Sequence, residues 1–276
     1  TPEWSRDLGD DVRAVAISEN GDYVSAGAYN AKVYLFGKDS STALWSYDTG
    51  NLNIETIDIS ADGKYIVTGG EDSDVRLFSK DSSTPLWSYS TGGMVSDVSI
   101  SSDGEYIIAG SKDNKAYLFD KDSSTPVWKY TAGNDVLAVD ISSDGQSVVI
   151  GSNDQKIRLF DRTSNTPVWT FSATNKLYSI SISADGEYIT SGSHDSEIYL
   201  FDKDSSTPMW NYVPDGSVFA VSISSDGKYI SAGGENDKVQ IFRNGFAERP
   251  SAILYGPRSG TEQRSPVLTW FAGSED

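Results

Sequence analysis

Residues 81–121, DSSTPLWSYSTGGMVSDVSISSDGEYIIAGSKDNKAYLFDK, recur with small changes along most of the chain. An Asn-Gly or Asp-Gly pair falls at Asn20-Gly21, Asp62-Gly63, Asp103-Gly104, Asp144-Gly145, Asp185-Gly186 and Asp226-Gly227. The first spacing is 42 residues and the next four are 41. A second register agrees, because Thr-Pro-x-Trp or Thr-Ala-x-Trp recurs at Trp4, Trp45, Trp87, Trp128, Trp169 and Trp210. A period near 40 is that of a small supersecondary unit which cannot bury its own faces and must stack on copies of itself.

One unit reads as four short strands. Val95 to Ser101 alternates with β-branched residues and predicts a strand. Ser102-Asp103-Gly104 predicts a turn, since Gly supplies positive φ and Asp bonds the backbone ahead of it. Tyr106 to Gly110 is an apolar run of strand length, Lys112-Asp113-Asn114 turns the chain again, and Ala116 to Phe119 is a third strand. Pro126 stiffens the polar connection Asp122 to Thr125, and Val127 to Tyr130 is the fourth and outermost strand. Four antiparallel strands in 41 residues predict one propeller blade. The repeating Trp is the largest apolar group of each unit and is expected between blades.

The chain begins out of phase with its repeats. Thr1-Pro2-Glu3-Trp4 matches an outermost strand with no preceding three. At the other end Val218–Ser224, Tyr229–Gly233 and Val239–Phe242 supply three strands, and Arg243-Asn244-Gly245-Phe246 replaces the fourth. The expected fold is therefore all-β: a six-bladed β-propeller of four-stranded antiparallel blades over residues 1–243, closed by the N-terminal strand completing the last blade. Residues 244–276 form a C-terminal extension.

Composition narrows the function. There are no cysteines, which removes disulfides and thiolate metal sites. No run of 18 apolar residues exists to span a membrane as a helix. A chain that starts at Thr1 and not Met reads as a mature or excised product. A formal charge of −18 repels phosphate backbones and argues against a nucleic-acid partner.

The run Val-x-x-Val-x-Ile-Ser-x-Asp-Gly-x-Tyr-Ile-x-x-Gly resembles the first half of the WD-repeat pattern, as does Gly-Ser-x-Asp at Ser152–Asp154 and at Ser193–Asp195. The Asp shared with that family stands here at Asp72, Asp113, Asp154 and Asp195, with Asn30 and Asn236 in the end repeats. The resemblance implies that it braces a turn within a His–Ser/Thr–Asp–Trp network. The Gly-His of that family is absent, and Phe36, Phe78, Phe119, Phe160, Phe201 and Phe242 replace the Trp of Trp-Asp, so the full network is not expected. The half Leu-Phe-Asp…Pro-x-Trp-x-Tyr-x-x-Gly is similar instead to quinoprotein-like repeats, whose tryptophans dock blades together. In the extension, RPSAILYGPRSGTEQRSPVLTWFAGSED resembles the opening hairpin of immunoglobulin-like or fibronectin type III-like modules of prokaryotic surface proteins, with strands at 252–255 and 267–271.

No catalytic, metal or cofactor constellation is found. His194 is the only histidine and occupies the variable position of Gly-Ser-x-Asp, where other repeats carry Tyr29, Glu71, Lys112, Asn153 and Glu235. A lone His without a partnered Ser or Cys makes no triad. The acidic connections at Asp39, Asp81, Asp122 and Asp204 offer one carboxylate each, short of the converging oxygens calcium needs. No bound quinone is expected.

Comparison of the repeats separates two faces. The Ser-Asp-Gly turns and the Asp-Ser-Ser-Thr-Pro connections are nearly constant and share one face, whereas the opposite connections vary. The second position of each innermost strand varies most: Arg13, Glu55, Ser96, Leu137, Tyr178 and Phe219. These six are expected to ring the mouth of the central channel as a docking site for a protein, peptide or glycan. The expected role is a non-catalytic binding or structural module of a secreted or cell-surface prokaryotic protein, with self-assembly into a layer or filament as one use. A propeller enzyme of hydrolase or quinoprotein type and an intracellular WD-repeat adaptor are the alternatives.

Overall fold

The computed structural model describes residues 1–50 and 52–247. The expected strands at 252–255 and 267–271, and the likeness of the extension to a surface module, lie outside the described residues. Within them the chain forms six antiparallel sheets in sequence order, five of four strands and a last one of three. Sheet three is typical: Val95–Ile100, Tyr106–Ser111, Lys115–Asp120 and Trp128–Thr131, in spatial order from inside to outside. The innermost strands of the six sheets are Val12–Ile17, Ile54–Ile59, Val95–Ile100, Val136–Ile141, Leu177–Ile182 and Val218–Ile223.

Each sheet after the first buries one flank against the sheet before it. Between sheets one and two, Val33, Leu35, Trp45 and Tyr47 meet Ile54, Ile57, Ile59, Ile66 and Phe78. The outer Trp lies on the next sheet's Phe at every such join, with centroids 5.4 Å apart for Trp45–Phe78 and Trp128–Phe160, 5.1 Å for Trp87–Phe119, 5.3 Å for Trp169–Phe201 and 5.4 Å for Trp210–Phe242. Phe78, Phe119, Phe160 and Phe201 are wholly buried. The indole N–H also crosses the join, from Trp45 to Lys80 O, Trp87 to Lys121 O, Trp128 to Arg162 O and Trp169 to Lys203 O, at 2.7–2.8 Å. The Phe that breaks the WD pattern is thus the seat of the ring that replaces it. An aromatic pair of this kind adds about 0.5–1.5 kcal/mol to the burial itself.

On the constant face a belt of backbone hydrogen bonds ties turn to turn: Glu19 N–H to Ala61 O, Ala61 to Ser102, Ser102 to Ser143, Ser143 to Ala184 and Ala184 to Ser225, all 3.0–3.1 Å. Glu19, Ala61, Ser102, Ser143, Ala184 and Ser225 also line one cavity of about 340 Å³, so a turn from each of the six sheets reaches one common cavity.

The strand pairing expected to close this ring is not formed. Among the described residues Val239–Arg243 pairs only with Tyr229–Gly234, and residues 1–11 form no strand. Trp4 does what the Pro-x-Trp pattern implies, lying 5.4 Å from Phe36 and donating to Lys38 O. The second ring of the outer strands, Tyr47, Tyr89, Tyr130 or Phe171, packs edge-on against the same Phe. Arg6 stands in its place here, and half of the anchor is missing. Val12, Val15 and Ile17 are 48, 68 and 63% exposed on one flank, and Val239 and Ile241 are 84 and 65% exposed on the other.

Candidate functional site

The six ring residues share a backbone feature. In sheet one, Val12 pairs with Ala28 and Ala14 with Gly27, which leaves Arg13 as the extra residue of a β-bulge. Register shifts at the same place leave out Glu55, Ser96, Leu137, Tyr178 and Phe219. A bulge adds one residue against the partner strand and re-aims its side chain. The variable position therefore varies where the ladder makes no demand on it.

The ring divides by chemistry. Arg13 Nε donates to Glu55 Oε2 at 3.3 Å across sheets one and two. Ser96 Oγ is buried and makes no hydrogen bond. Tyr178 meets Phe219 edge to face, centroids 5.5 Å apart at 71°, and Phe219 is 49% exposed. His194 also stacks on Tyr178, at 5.6 Å and 26°. The Lys176 ammonium stands 4.8 Å from the Tyr178 ring centre, within cation–π range. His194 Nδ1 lies 3.0 Å from Ser217 Oγ, and the Ser217 N–H donates to Glu235 Oε2. Bonds from Ser217 hold the Glu235 carboxyl below its ordinary range. Sheets five and six thus present an aromatic cluster whose members brace one another, and His194, the variable residue of Gly-Ser-x-Asp, belongs to it.

The Asp shared with WD repeats holds the variable connections in place. Asp113 Oδ2 accepts the Gly92 N–H at 2.9 Å, Asp154 Oδ2 that of Gly133 at 2.8 Å, and Asp195 Oδ2 that of Thr174 at 3.1 Å. A side chain four residues on completes each brace: Tyr117, Arg158 and Tyr199, with Arg76 serving Asp72. The His and Trp of the WD network are replaced by Tyr or Arg and a backbone N–H.

Sequence reasoning missed a second set of carboxylates. Asp58 accepts from the Ile100 N–H, Asp97 from Val139 and Asp140 from Ile182, each 2.9 Å away in the following sheet. Ser99 Oγ also donates to Asp140. These side chains lie deep around the channel, and burial pushes Asp58 and Asp97 up to about 7 and raises Asp140. Their signal was present as the only acidic residues on otherwise apolar and Ser/Thr inner strands of sheets three and four, and beside Glu55 on sheet two. They act as clasps between sheets. Among the described residues no group of three or more His, Cys, Asp and Glu is placed to hold a metal ion.

Residues 2–212 match the profile of a family described as outer membrane protein assembly factor BamB. The chain belongs to this family. The WD domain, G-beta repeat profile matches residues 208–243, a range that takes in the last four described strands. Comparison with curated proteins finds no match. In this BamB-family chain the quinoprotein-like likeness resides in the outer Pro-x-Trp strands and the WD likeness in the inner turns. The two matched ranges together include the bulged residues of all six sheets.

Proposed function

We propose that the chain is a non-catalytic binding module of an exported or cell-surface assembly, and that it docks an extended peptide segment of a partner protein on the variable face. The observation that carries this reading is the coincidence of six bulges with six dissimilar side chains, three of them Leu137, Tyr178 and Phe219 on successive sheets. A rigid aromatic pair with a His and Lys beside it has the composition of a binding hot spot, where large amphipathic rings supply contact area with few torsions to freeze. WD-domain and BamB-type repeats commonly serve in protein contacts, and the family's description as an outer-membrane assembly factor favours an exported setting. The acidity of the chain adds attraction for basic flanks on the partner.

The test is panning of a random peptide library against the purified protein. Enrichment of peptides that the Tyr178→Ala/Phe219→Ala variant fails to retain supports the reading. Enrichment that is unchanged in that variant rejects it.

A further inference from the structure

Five times in this chain a third strand is covered by a fourth in one register. Leu35, Leu77, Leu118, Leu159 and Leu200 stand directly opposite Trp45, Trp87, Trp128, Trp169 and Trp210. Two residues along, Val33, Val75, Ala116, Ile157 and Ile198 stand opposite Tyr47, Tyr89, Tyr130, Phe171 and Tyr212. Nine of these ten third-strand residues are completely buried and Leu159 is 3% exposed. In the last sheet the same two positions are Ile241 and Val239, as the pairs Ser231–Ile241 and Gly233–Val239 show by matching Ser25–Leu35 and Gly27–Val33. They are 65 and 84% exposed, and no described strand pairs with their outer edge. Val239 also borders a shallow cavity of about 220 Å³ with Ala220, Ser222, Ser231 and Gly233.

We propose that the outer edge of residues 239–241 binds an extended peptide of the pattern Pro-x-Trp-x-Tyr/Phe, antiparallel, with Trp opposite Ile241 and the second ring opposite Val239. The occupant is identified by continuity with an interface this chain already builds five times. A strand added to a free edge satisfies the ladder's backbone groups, while alternate side chains supply specificity. Directly opposed residues on one face have Cβ atoms about 5 Å apart, so the two rings cover Ile241 and Val239 as they cover Leu118 and Ala116. This site lies on the flank of the disc and is independent of the bulged ring.

The experiment titrates the full chain into a fluorescein-labelled synthetic peptide of residues 125–132, TPVWKYTA, read by anisotropy. A control peptide carries Ser in place of Trp128 and Tyr130. The expected result is saturable binding of the first peptide only, weakened at least tenfold by Ile241→Asp. That variant alters an exposed side chain, and its melting curve verifies that it folds. Absence of binding, equal binding of the control, or binding indifferent to Ile241→Asp overturns the proposal. Hydrogen exchange on the free protein supplies the remaining arm. Protection of the amides of residues 239–243 in dilute protein means that the chain's own residues fill the edge, and protection only at concentrations where dimers form means that a second copy does. Either result also overturns it.

Discussion

Asp58 in the inner strand of sheet two accepts a hydrogen bond from the Ile100 N–H of sheet three at 2.9 Å, and burial lifts its pKa to about 7. Asp97 repeats the arrangement one sheet on, toward Val139. A carboxyl with a raised folded-state pKa binds its proton more tightly when folded than when unfolded. Its stabilising contribution is fully present below about pH 4 and is lost as pH rises through about 7. Asp154 and Asp113 shift the other way, held down chiefly by hydrogen bonds from Arg158 and Tyr117 against the opposing effect of burial, and their contribution is lost as pH falls through their lowered values. The melting temperature is therefore expected to be highest near pH 5 and to fall toward pH 8. Asp58→Asn/Asp97→Asn should flatten the decline between pH 5 and 8, as followed by circular dichroism. A decline as steep as in the parent protein would remove these two groups as its cause.

A Cβ placed on Gly110 would come within 2.8 Å of Val136 Cγ1 in the next sheet, and one on Gly69 within 2.3 Å of Val95 Cγ1. The same position in the last sheet, Gly233, meets nothing nearer than Lys238 O at 3.9 Å. Gly110→Ala should cost about 1–3 kcal/mol by overpacking, whereas Gly233→Ala should be neutral within about 0.5 kcal/mol. Urea denaturation of the two variants decides the matter. An equal loss at Gly233 would mean that another layer packs on that flank.

The tryptophans should divide in the same way. Trp128 is buried between sheets three and four with its N–H on Arg162 O, and Trp128→Ala should cost about 3–5 kcal/mol. Trp4 covers Phe36 on a flank where Val12, Val15 and Ile17 stay exposed, so Trp4→Ala should cost less than half as much, about 1–2 kcal/mol. Comparable losses for the two would contradict the open flank.

Much of the fold is legible in the residues. The period, the four strands of each repeat and the placing of the tryptophans between sheets follow from patterns that recur locally. The bulges do not, because an extra residue shows only when a strand is laid against its partner: Arg13 looks like any strand residue until Val12 and Ala14 are paired with Ala28 and Gly27. Variability at that position was visible, and its cause was not. The clasps were hidden for a related reason. Asp58 and Asp140 hold the fifth position of their strands and Asp97 the third, so alignment of the repeats separates groups that serve one purpose in space. Closure of the ring was over-read from Trp4, whose indole docks as expected while Arg6 leaves the rest of its strand without the second ring.

The most direct test of the docking face is a Leu137→Ser/Tyr178→Ser/Phe219→Ser variant, compared with the parent for melting temperature and for affinity toward a peptide selected on the parent. Residues left outside the backbone ladder should carry binding and little stability. The predicted result is melting within about 5 °C of the parent with affinity reduced at least tenfold, as expected for the loss of two or three hot-spot side chains. Undiminished affinity in a folded variant would contradict the account.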